Sequence, residues 1–344
     1  MQKSQNSKLQ PVTMKEIGIE AGVSQSTVSR ALRNDSRITE PVRERVQAAA
    51  KKLNYRPNPL VSAFTSQVRG YRRSPTHATI GFLSPFGNPS ANHIDDYYKG
   101  AADRARELGF ETDLIILPEL EHSWSAVNRI IRARSIQGLL VLPVPQGYSI
   151  EELDLSRVAS ATVDPSLQKP DLHRATPDYF HSMELALNTL TEMGYKRISF
   201  CSWDEEQERI GSRWLGSYFR WQQKHKIHLP PYISSDDWDE EPFVEYINRE
   251  KPDVIVSNSR FYYKILLKHQ IPVPDRIAFA SLCAMQGNSA MGGIDQCGRL
   301  IASAAIDLIV SQMYRNEGGI PEHPKSVSIR GQWVDGETTP RKKP

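Results

Sequence analysis

The stretch VTMKEIGIEAGVSQSTVSRALRND, residues 12–35, decides how the amino-terminal part of this chain folds. Thr13 and Glu16 fit a capping box, in which each side chain accepts a hydrogen bond from the other residue's backbone N–H. We therefore expect a helix to begin here. Its apolar positions recur at helical spacing and are Met14, Ile17 and Ala21. Gly22 follows where a left-handed residue ends a helix.

A second helix is predicted directly after this turn, with Ser24 as its N-cap. Its apolar positions are Val28, Ala31 and Leu32. The residues left facing outward are Gln25, Ser26, Ser29 and Arg30. Two short helices joined by a Gly-containing turn form a helix-turn-helix, whose second helix enters the DNA major groove. Because Arg can bond guanine and Gln can bond adenine, this outward face predicts base recognition.

A third helix completes the amino-terminal region. Thr39 is its predicted cap, and Pro41 lies in its first turn. The apolar stripe consists of Val42, Val46, Ala49, Ala50 and Leu53. This stripe can close a small core against the first two helices.

Charge is distributed unevenly along the 344 residues, although the whole chain carries only +3. Residues 1–75 contain fourteen Lys and Arg against five Asp and Glu, a formal charge of +9, whereas the remainder carries −6. A basic region followed by an acidic one is typical of a nucleic-acid-binding module joined to a domain that does not bind nucleic acid. A merely solvated charged face would give the same count.

Residues 12–35, followed by ITEPVRERVQAAAKKLNYRPNPL at 38–60, resemble the DNA-binding head of the lactose-repressor/galactose-repressor (LacI/GalR) family. The resemblance implies that bases are read by Gln25, Ser26 and Arg30. It implies that phosphates are held mainly by Thr13, Ser24, Thr27, Ser29, Asn34 and Asn58. For each residue, the alternative is a helix cap or a solvated surface position.

The segment NPLVSAFT, residues 58–65, matches the hinge of that family. The hinge resembles a short helix that folds on the operator and inserts an apolar side chain into the minor groove. Most members use Leu, and Phe64 matches it here; the alternative is that Phe64 packs against the partner's hinge. The basic segment 66–75 is expected to add phosphate contacts or to be a solvated linker.

The rest of the chain alternates predicted strands and helices. The strands are Thr79–Leu83, Asp113–Leu117, Gly138–Leu142, Arg197–Ser202, Asp253–Asn258 and Ile277–Leu282. The helices are Asp96–Leu108, Ser123–Arg134, Phe180–Met193 and Gly211–His225. This alternation predicts parallel sheets, and a break near Asp178 suggests two of them. The order resembles the two-lobed, type I periplasmic-binding-protein-like α/β body of the same family.

The expected fold is therefore an all-α helix-turn-helix head, with three helices plus a hinge helix, joined to that α/β body. The predicted boundaries are 1–62 for the head, 63–78 for the hinge and linker, 79–335 for the effector-binding and dimerisation domain, and 336–344 for a frayed tail. No heptad repeat follows residue 330, which favours a dimer over a tetramer.

Ligands of open α/β sheets bind beyond the carboxyl ends of the strands. Phe86, Trp203 and Asn258 follow predicted strands. The resemblance adds Arg213, in an Arg-x-x-Gly helix start, and then Asp178. For each, ordinary loop or core packing is the alternative.

Two departures from the family concern carboxylates that commonly bind sugar hydroxyls. Ser259 follows Asn258 where many members have Asp, and Cys283 replaces another Asp. These departures weaken the case for a sugar effector, and a less polar ligand, or none, stays open.

Other classes of protein fit less well. Walker A, GxSxG and HExxH motifs are missing, and Ser289 has no identifiable base, so we expect no enzyme. His225 and His228 have no third ligand nearby in the sequence, so we expect no metal site. No cofactor is expected. The three cysteines have no paired spacing. A polar start and the lack of a membrane-spanning run favour a cytoplasmic protein over an exported solute-binding module.

The sequence thus predicts a homodimeric transcription regulator, a repressor, that binds a pseudo-palindromic double-stranded operator under the control of a small-molecule effector, of which a sugar is one candidate class. One alternative keeps DNA binding but makes the body a ligand-free dimerisation scaffold. A weaker alternative is a small-molecule-binding protein or enzyme on the same fold.

Overall fold

The computed structural model divides the chain into two compact units, residues 1–76 and 77–344. Within them the described residues are 14–32, 38–53, 78–91, 94–235, 240–284 and 290–342. The division between the units falls in the predicted linker.

The first unit contains three helices, as predicted: α1 (Met14–Ala21), α2 (Gln25–Ala31) and α3 (Glu40–Lys52). They enclose one small core. Its fully buried members are Ile17, Ala21, Val28, Ala31, Val46, Ala49 and Ala50. Val23, Leu32, Val42 and Leu53 pack against it and are half-buried. Apolar spacing along three short helices therefore produces the predicted bundle.

The turn between α1 and α2 has the predicted chemistry. Gly22 adopts φ +65°, a conformation that favours glycine. Ser24 caps α2 by accepting a hydrogen bond from the Thr27 N–H at 3.2 Å. Thr39 occupies the N-cap position of α3, but its side chain makes no capping hydrogen bond, so that part of the prediction is wrong. The capping-box residue Thr13 lies outside the described residues.

The second unit contains two six-stranded sheets, which we call lobe 1 and lobe 2. Lobe 1 has the strand order β11-β5-β4-β3-β1-β2, and all its pairs are parallel. Its strands are β1 (Thr79–Ser84), β2 (Glu111–Ile116), β3 (Ile136–Val141), β4 (Ala159–Val163), β5 (His173–Pro177) and β11 (Ser326–Ile329). Its helices are α4 (Asp95–Glu107), α5 (Trp124–Ala133) and α11 (Gly298–Arg315). One face packs against α4 and α11, and the other against α5.

Lobe 2 has the strand order β12-β10-β9-β8-β6-β7 and is parallel except for the β10–β12 pair. Its strands are β6 (Ile198–Trp203), β7 (Tyr232–Ser234), β8 (Val254–Ser257), β9 (Ala278–Ser281), β10 (Gly293–Asp295) and β12 (Gln332–Val334). Its helices are α6 (Tyr179–Glu192), α7 (Asp204–Arg209), α8 (Arg213–His225), α9 (Glu241–Glu250) and α10 (Arg260–Lys268). A core lies on each face of the sheet.

Three segments cross between the lobes, where β5 leads to α6, β10 leads to α11, and β11 leads to β12. Hydrogen bonds tie the crossings together. The Asp178 N–H donates to the Ile329 carbonyl at 2.8 Å, and the Ser182 hydroxyl donates to Gln296 Oε1 at 3.2 Å. The lobes are thus joined by a narrow set of linked segments, which leaves a cleft between the carboxyl ends of their strands.

The carboxyl-terminal segment differs from the expected frayed tail. Thr338 and Thr339 are buried, and the Lys342 N–H donates to the Met193 carbonyl at 2.9 Å. The Tyr195 hydroxyl donates to the Pro340 carbonyl at 2.8 Å. Residues 336–342 therefore pack on lobe 2 because backbone and side-chain donors are paired along their length.

Candidate nucleic-acid interface and effector cleft

The recognition helix α2 presents part of the predicted surface. Gln25 and Arg30 are exposed. The Ser24 and Thr27 hydroxyls lie 2.9 Å apart and belong to the helix cap. Ser26 and Ser29 fall within α2, whereas Thr13, Asn34, Asn58 and Phe64 lie outside the described residues. Within the described part, the outward positions of α2 can offer a guanidinium and an amide to a partner, which are the groups that read base edges.

Asp164 lies in the cleft directly after β4, at the carboxyl end of lobe 1. Its Oδ1 accepts the Ser166 N–H at 2.6 Å. Burial raises the pKa of the Asp164 carboxyl, although this hydrogen bond and the Arg209 and Arg174 charges act to lower it. The Asp164 carboxyl therefore lies within electrostatic reach of Arg209, which belongs to lobe 2.

Two tyrosines lie beside Asp164, Tyr97 of α4 in lobe 1 and Tyr179 of α6 in lobe 2. Burial, followed by the charge of Asp164, raises the pKa of the Tyr97 and Tyr179 hydroxyls well above the usual range. Arg209 lowers both pKa values. Because Tyr97 belongs to α4 and Arg209 to α7, groups from the two lobes face one another here.

Glu206 is the centre of a hydrogen-bond network in lobe 2. It is only 9% exposed. Its Oε2 accepts the Ser202 hydroxyl at 2.8 Å, and its Oε1 accepts the Asn258 amide. Gln207 Nε2 donates to the same Ser202 oxygen at 2.8 Å. Asn258, a predicted effector contact, therefore has its amide engaged within the protein.

Two arginines, Arg209 and Arg213, follow Glu206 in the chain and differ in their surroundings. Arg209 ends α7, and its Nη2 lies 3.9 Å from Glu206 Oε1. Arg213, the predicted effector contact, begins α8 and is exposed. The charge of Arg209 lowers the pKa of Tyr97, of Asp164 and of Tyr179.

An aromatic wall, which we define as Trp203, Phe261 and Tyr262, lies beside this network. The Trp203 ring centroid is 5.0 Å from that of Phe261 and 5.6 Å from that of Tyr262. Trp203 and Phe261 are half-buried, and Tyr262 is buried. Phe86, which follows β1 in lobe 1, is 40% exposed. Flat apolar surface thus lies at the carboxyl ends of both sheets.

The remaining predicted positions have local partners. Asp178 caps α6, because its Oδ1 accepts the His181 N–H at 3.1 Å. Cys283 follows β9 and is exposed to the cleft, and desolvation by the protein around it raises the pKa of its thiol, so it stays protonated at neutral pH. Arg260 acts in the opposite direction on that pKa.

Outside the cleft, a further cavity and the arrangement of metal-binding residue types also bear on where a ligand could bind. A cavity of about 320 Å³ lies at the amino ends of β3 and β4, away from the cleft, and its lining includes Gln137, Arg157 and Asn316. Among the described residues, no group of three His, Cys, Asp or Glu side chains is arranged to hold a metal. In the same part of the chain, the helices are too short or too polar to cross a membrane.

Comparison with known proteins follows the same division into head and body. Residues 13–58 match the family described as bacterial regulatory proteins, lacI family. The match lies within the amino-terminal unit of the chain. The HTH-type transcriptional repressor CytR of Escherichia coli strain K12 is 28% identical over 234 residues, which are 66% of this chain and 64% of that protein. The ribose operon repressor of Lactococcus lactis subsp. lactis is 24% identical over 254 residues, which are 72% of this chain and 70% of that protein.

The chain thus spans just under two thirds of the length of the CytR repressor. Two solved structures extend the likeness to the fold. The complex of the transcriptional regulator CelR with cellobiose has a TM-score of 0.56 at 17% identity, covering 95% of this chain and 99% of that one. The lac repressor dimer bound to operator and the anti-inducer ONPF has a TM-score of 0.55 at 18% identity, covering 96% and 100%. The predicted combination of a helix-turn-helix head and a two-lobed α/β body is confirmed.

Several cleft residues were not predicted from the sequence. Asp164 was missed because the strand before it, β4, was not recognised. Glu206 and Arg209 were missed because the short helix α7 after Trp203 was not predicted. The rule that ligands bind beyond strand ends would have indicated all three once those elements were known.

Proposed function

We propose that this lacI-family protein is a sequence-specific DNA-binding transcription regulator, acting as a repressor, whose operator affinity is modulated by a small-molecule effector. The observation that carries the proposal is the exposed Gln25 and Arg30 on the helix that Ser24 caps. Relatives named as repressors support it. In this proposal the protein is a regulator and not an enzyme.

In the proposal, the head contacts DNA through two groups of side chains. Bases are read by Gln25, Ser26 and Arg30. Phosphates are held mainly by Thr13, Ser24, Thr27, Ser29, Asn34 and Asn58. Phe64 unstacks the central base step from the minor groove. Phosphate contacts set register, whereas base contacts set sequence.

The proposed active form is a homodimer. One short recognition helix covers too few base pairs to be selective, whereas two heads related by a two-fold axis read an inverted repeat. The lac repressor dimer bound to its operator is a precedent in another protein of similar fold.

The effector is proposed to bind between lobe 1 and lobe 2. The side chains predicted to contact it are Phe86, Asp178, Trp203, Arg213 and Asn258. Support comes from the cleft itself, where polar and aromatic groups from both lobes meet. The complex of CelR with cellobiose is a precedent for a small molecule bound to a regulator of similar fold.

Selection of bound sequences from random double-stranded DNA tests the central claim. We expect the full chain to enrich a pseudo-palindrome with half-sites about one helical turn, roughly 10 bp, apart. Analytical ultracentrifugation of the same sample should give a dimer. Enrichment of no sequence, or of one without an inverted repeat, would contradict the proposal.

A further inference from the structure

Among the described residues, several acceptors on the lobe 2 side of the cleft already accept hydrogen bonds from within the protein. Both carboxylate oxygens of Glu206 accept hydrogen bonds from within the protein. The Ser259 hydroxyl accepts the Phe261 N–H at 3.2 Å, and Asp295 Oδ1 accepts the Cys297 N–H at 2.8 Å. Cys283 offers a neutral thiol, which is a weak hydrogen-bonding group. A polyhydroxylated ligand would therefore have to share these acceptors with groups of the protein.

Donors, by contrast, are left over. Among the described residues, Arg209 Nε is buried and has no hydrogen-bond partner. The distance of 3.9 Å between Arg209 Nη2 and Glu206 Oε1 permits an ion pair but is too long for a hydrogen bond. A buried guanidinium N–H without an acceptor is costly, so a ligand that brings an acceptor is favoured.

A second unpaired donor lies in the same neighbourhood. Trp214 is 2% exposed, and in the described part of the chain its Nε1 also has no hydrogen-bond partner. Its ring packs edge-on against Tyr179, with centroids 5.1 Å apart. Tyr179 in turn is close enough to Arg209 for the guanidinium to lower its pKa. Trp214 belongs to the core of lobe 2, and Tyr179 lies between this core and Arg209.

The aromatic wall is the second feature that a ligand would meet on this side. Trp203 immediately precedes α7, the helix that ends at Arg209, and Phe261 is one residue after Arg260. Trp203 and Phe261 are only half-buried at the carboxyl ends of the lobe 2 strands. Aromatic rings in a ligand site favour a flat partner, by stacking or by edge contacts.

We propose that the effector is an acid built on a flat ring, whose carboxylate or phosphate oxygens accept hydrogen bonds from Arg209 while its ring lies against Trp203 and Phe261. This inference rests on the proposed function, because it names the class of ligand for the same cleft. A planar guanidinium is suited to such a group, since it can donate two parallel hydrogen bonds to one anion. Arg260, exposed at the start of α10, adds a second positive charge at this edge.

Calorimetric titration of the full-length protein with paired probes tests the ligand class. Benzoate and adenosine monophosphate carry an acid on a ring, benzamide and adenosine are their neutral counterparts, and cellobiose represents a sugar. We expect at least one acid to bind about tenfold or more tightly than its neutral counterpart, as a charge-assisted hydrogen bond requires. Benzoate and adenosine monophosphate separate a carboxylate source from a phosphate source.

Arg209→Gln tests the assigned residue, and Arg220→Gln on the exposed side of α8 is the matched control. The first should reduce acid binding to the level of the neutral probe, and the second should leave it unchanged. Arg209→Lys keeps the charge and should retain part of the affinity, which guards against a folding defect in the Gln variant; thermal melting of all three checks this directly.

Four outcomes would overturn the inference. They are binding of cellobiose but of neither acid, binding of no probe at millimolar concentration, acid binding that survives Arg209→Gln, and equal losses in the Arg209 and Arg220 variants. Operator binding is measured separately by fluorescence anisotropy on the selected DNA. Failure there contradicts the proposed regulator, whereas the titrations still decide the ligand class.

Discussion

Gly18→Ala tests how closely the two helices of the helix-turn-helix must approach. A Cβ built at Gly18 would lie 2.7 Å from the Val23 carbonyl oxygen. The same Cβ would lie 3.6 Å from Val28 Cγ2, an ordinary contact. Because the close atom belongs to the backbone, the turn itself must move. We therefore expect the recognition helix α2 to shift relative to α1.

The magnitude follows from two opposing effects. Overpacking a well-filled core costs about 1–3 kcal/mol. Replacing a helical Gly by Ala returns about 0.5–1 kcal/mol. Since a backbone oxygen cannot rotate away, the cost lies in the upper part of its range, and the net effect is a destabilisation of about 1–2 kcal/mol. Operator affinity should fall as well, although Gly18 presents no side chain to DNA.

Hydrogen exchange measured by mass spectrometry on a peptide covering residues 14–32 reports the local stability, and fluorescence anisotropy reports operator affinity. Gly216→Ala is the matched control, because Gly216 lies in α8 and no atom is within 4 Å of its added Cβ. That variant should be stabilised, by about 0.4–1 kcal/mol. If Gly18→Ala gains stability in the same way and keeps wild-type operator affinity, the close approach described here does not constrain the head.

Further predictions concern DNA readout, the hinge and the cleft. Arg30→Ala should weaken binding to the selected operator by about 1–3 kcal/mol and relax preference at one base pair while changing binding to random DNA much less; equal losses on both DNAs would identify a phosphate contact. Phe64→Ala should weaken operator binding but leave effector affinity of the DNA-free protein intact, and a calorimetric titration showing lost effector binding would argue against a hinge role. Asp164→Asn should raise the melting temperature at pH 7. The folded-state pKa of Asp164 is raised from 3.8, so the contribution of Asp164 to the free energy of unfolding is present below pH 3.8 and is lost as the pH rises through the folded-state pKa. Asn does not titrate and has no such loss. A stability difference between variant and wild type that does not grow from pH 4 to pH 7 would contradict this reasoning.

The three described helices of the head could be predicted from sequence because local signals set their structure. Apolar spacing determines which side of each helix faces the core, and Ser24 and Gly22 specify where the turn begins and ends. The exception, Thr39, has the residue type of a cap but no capping hydrogen bond. Residue type fixes a capping position more reliably than it fixes the side-chain rotamer that completes the bond.

The body could be predicted at the level of strand and helix alternation, and less well at the level of the cleft. The predicted strands β1, β2, β3, β6, β8 and β9 are all present. The strands that were missed, such as β4 (ASATV) and β5 (HRATP), contain small and polar residues, so their apolar pattern is weak. Their burial comes from helices packed on both faces of the sheet, which is a tertiary effect that local sequence does not carry.

The same limit explains why Arg209 could not be predicted in addition to Arg213. An Arg-x-x-Gly pattern marks a helix start, but it gives no information about other arginines beside the cleft. The placement of Arg209 and Arg213 depends on the short helix α7, which ends at Arg209 beside Glu206, and on Ser212, whose φ of +52° turns the chain before α8 begins. Glu206, in the first turn of α7, accepts hydrogen bonds from Ser202 and Asn258. Ser202 and Asn258 lie at the carboxyl ends of lobe 2 strands. The Glu206 carboxylate therefore lies near the guanidinium without satisfying its hydrogen bonds, and within the described residues Arg209 Nε remains unpaired.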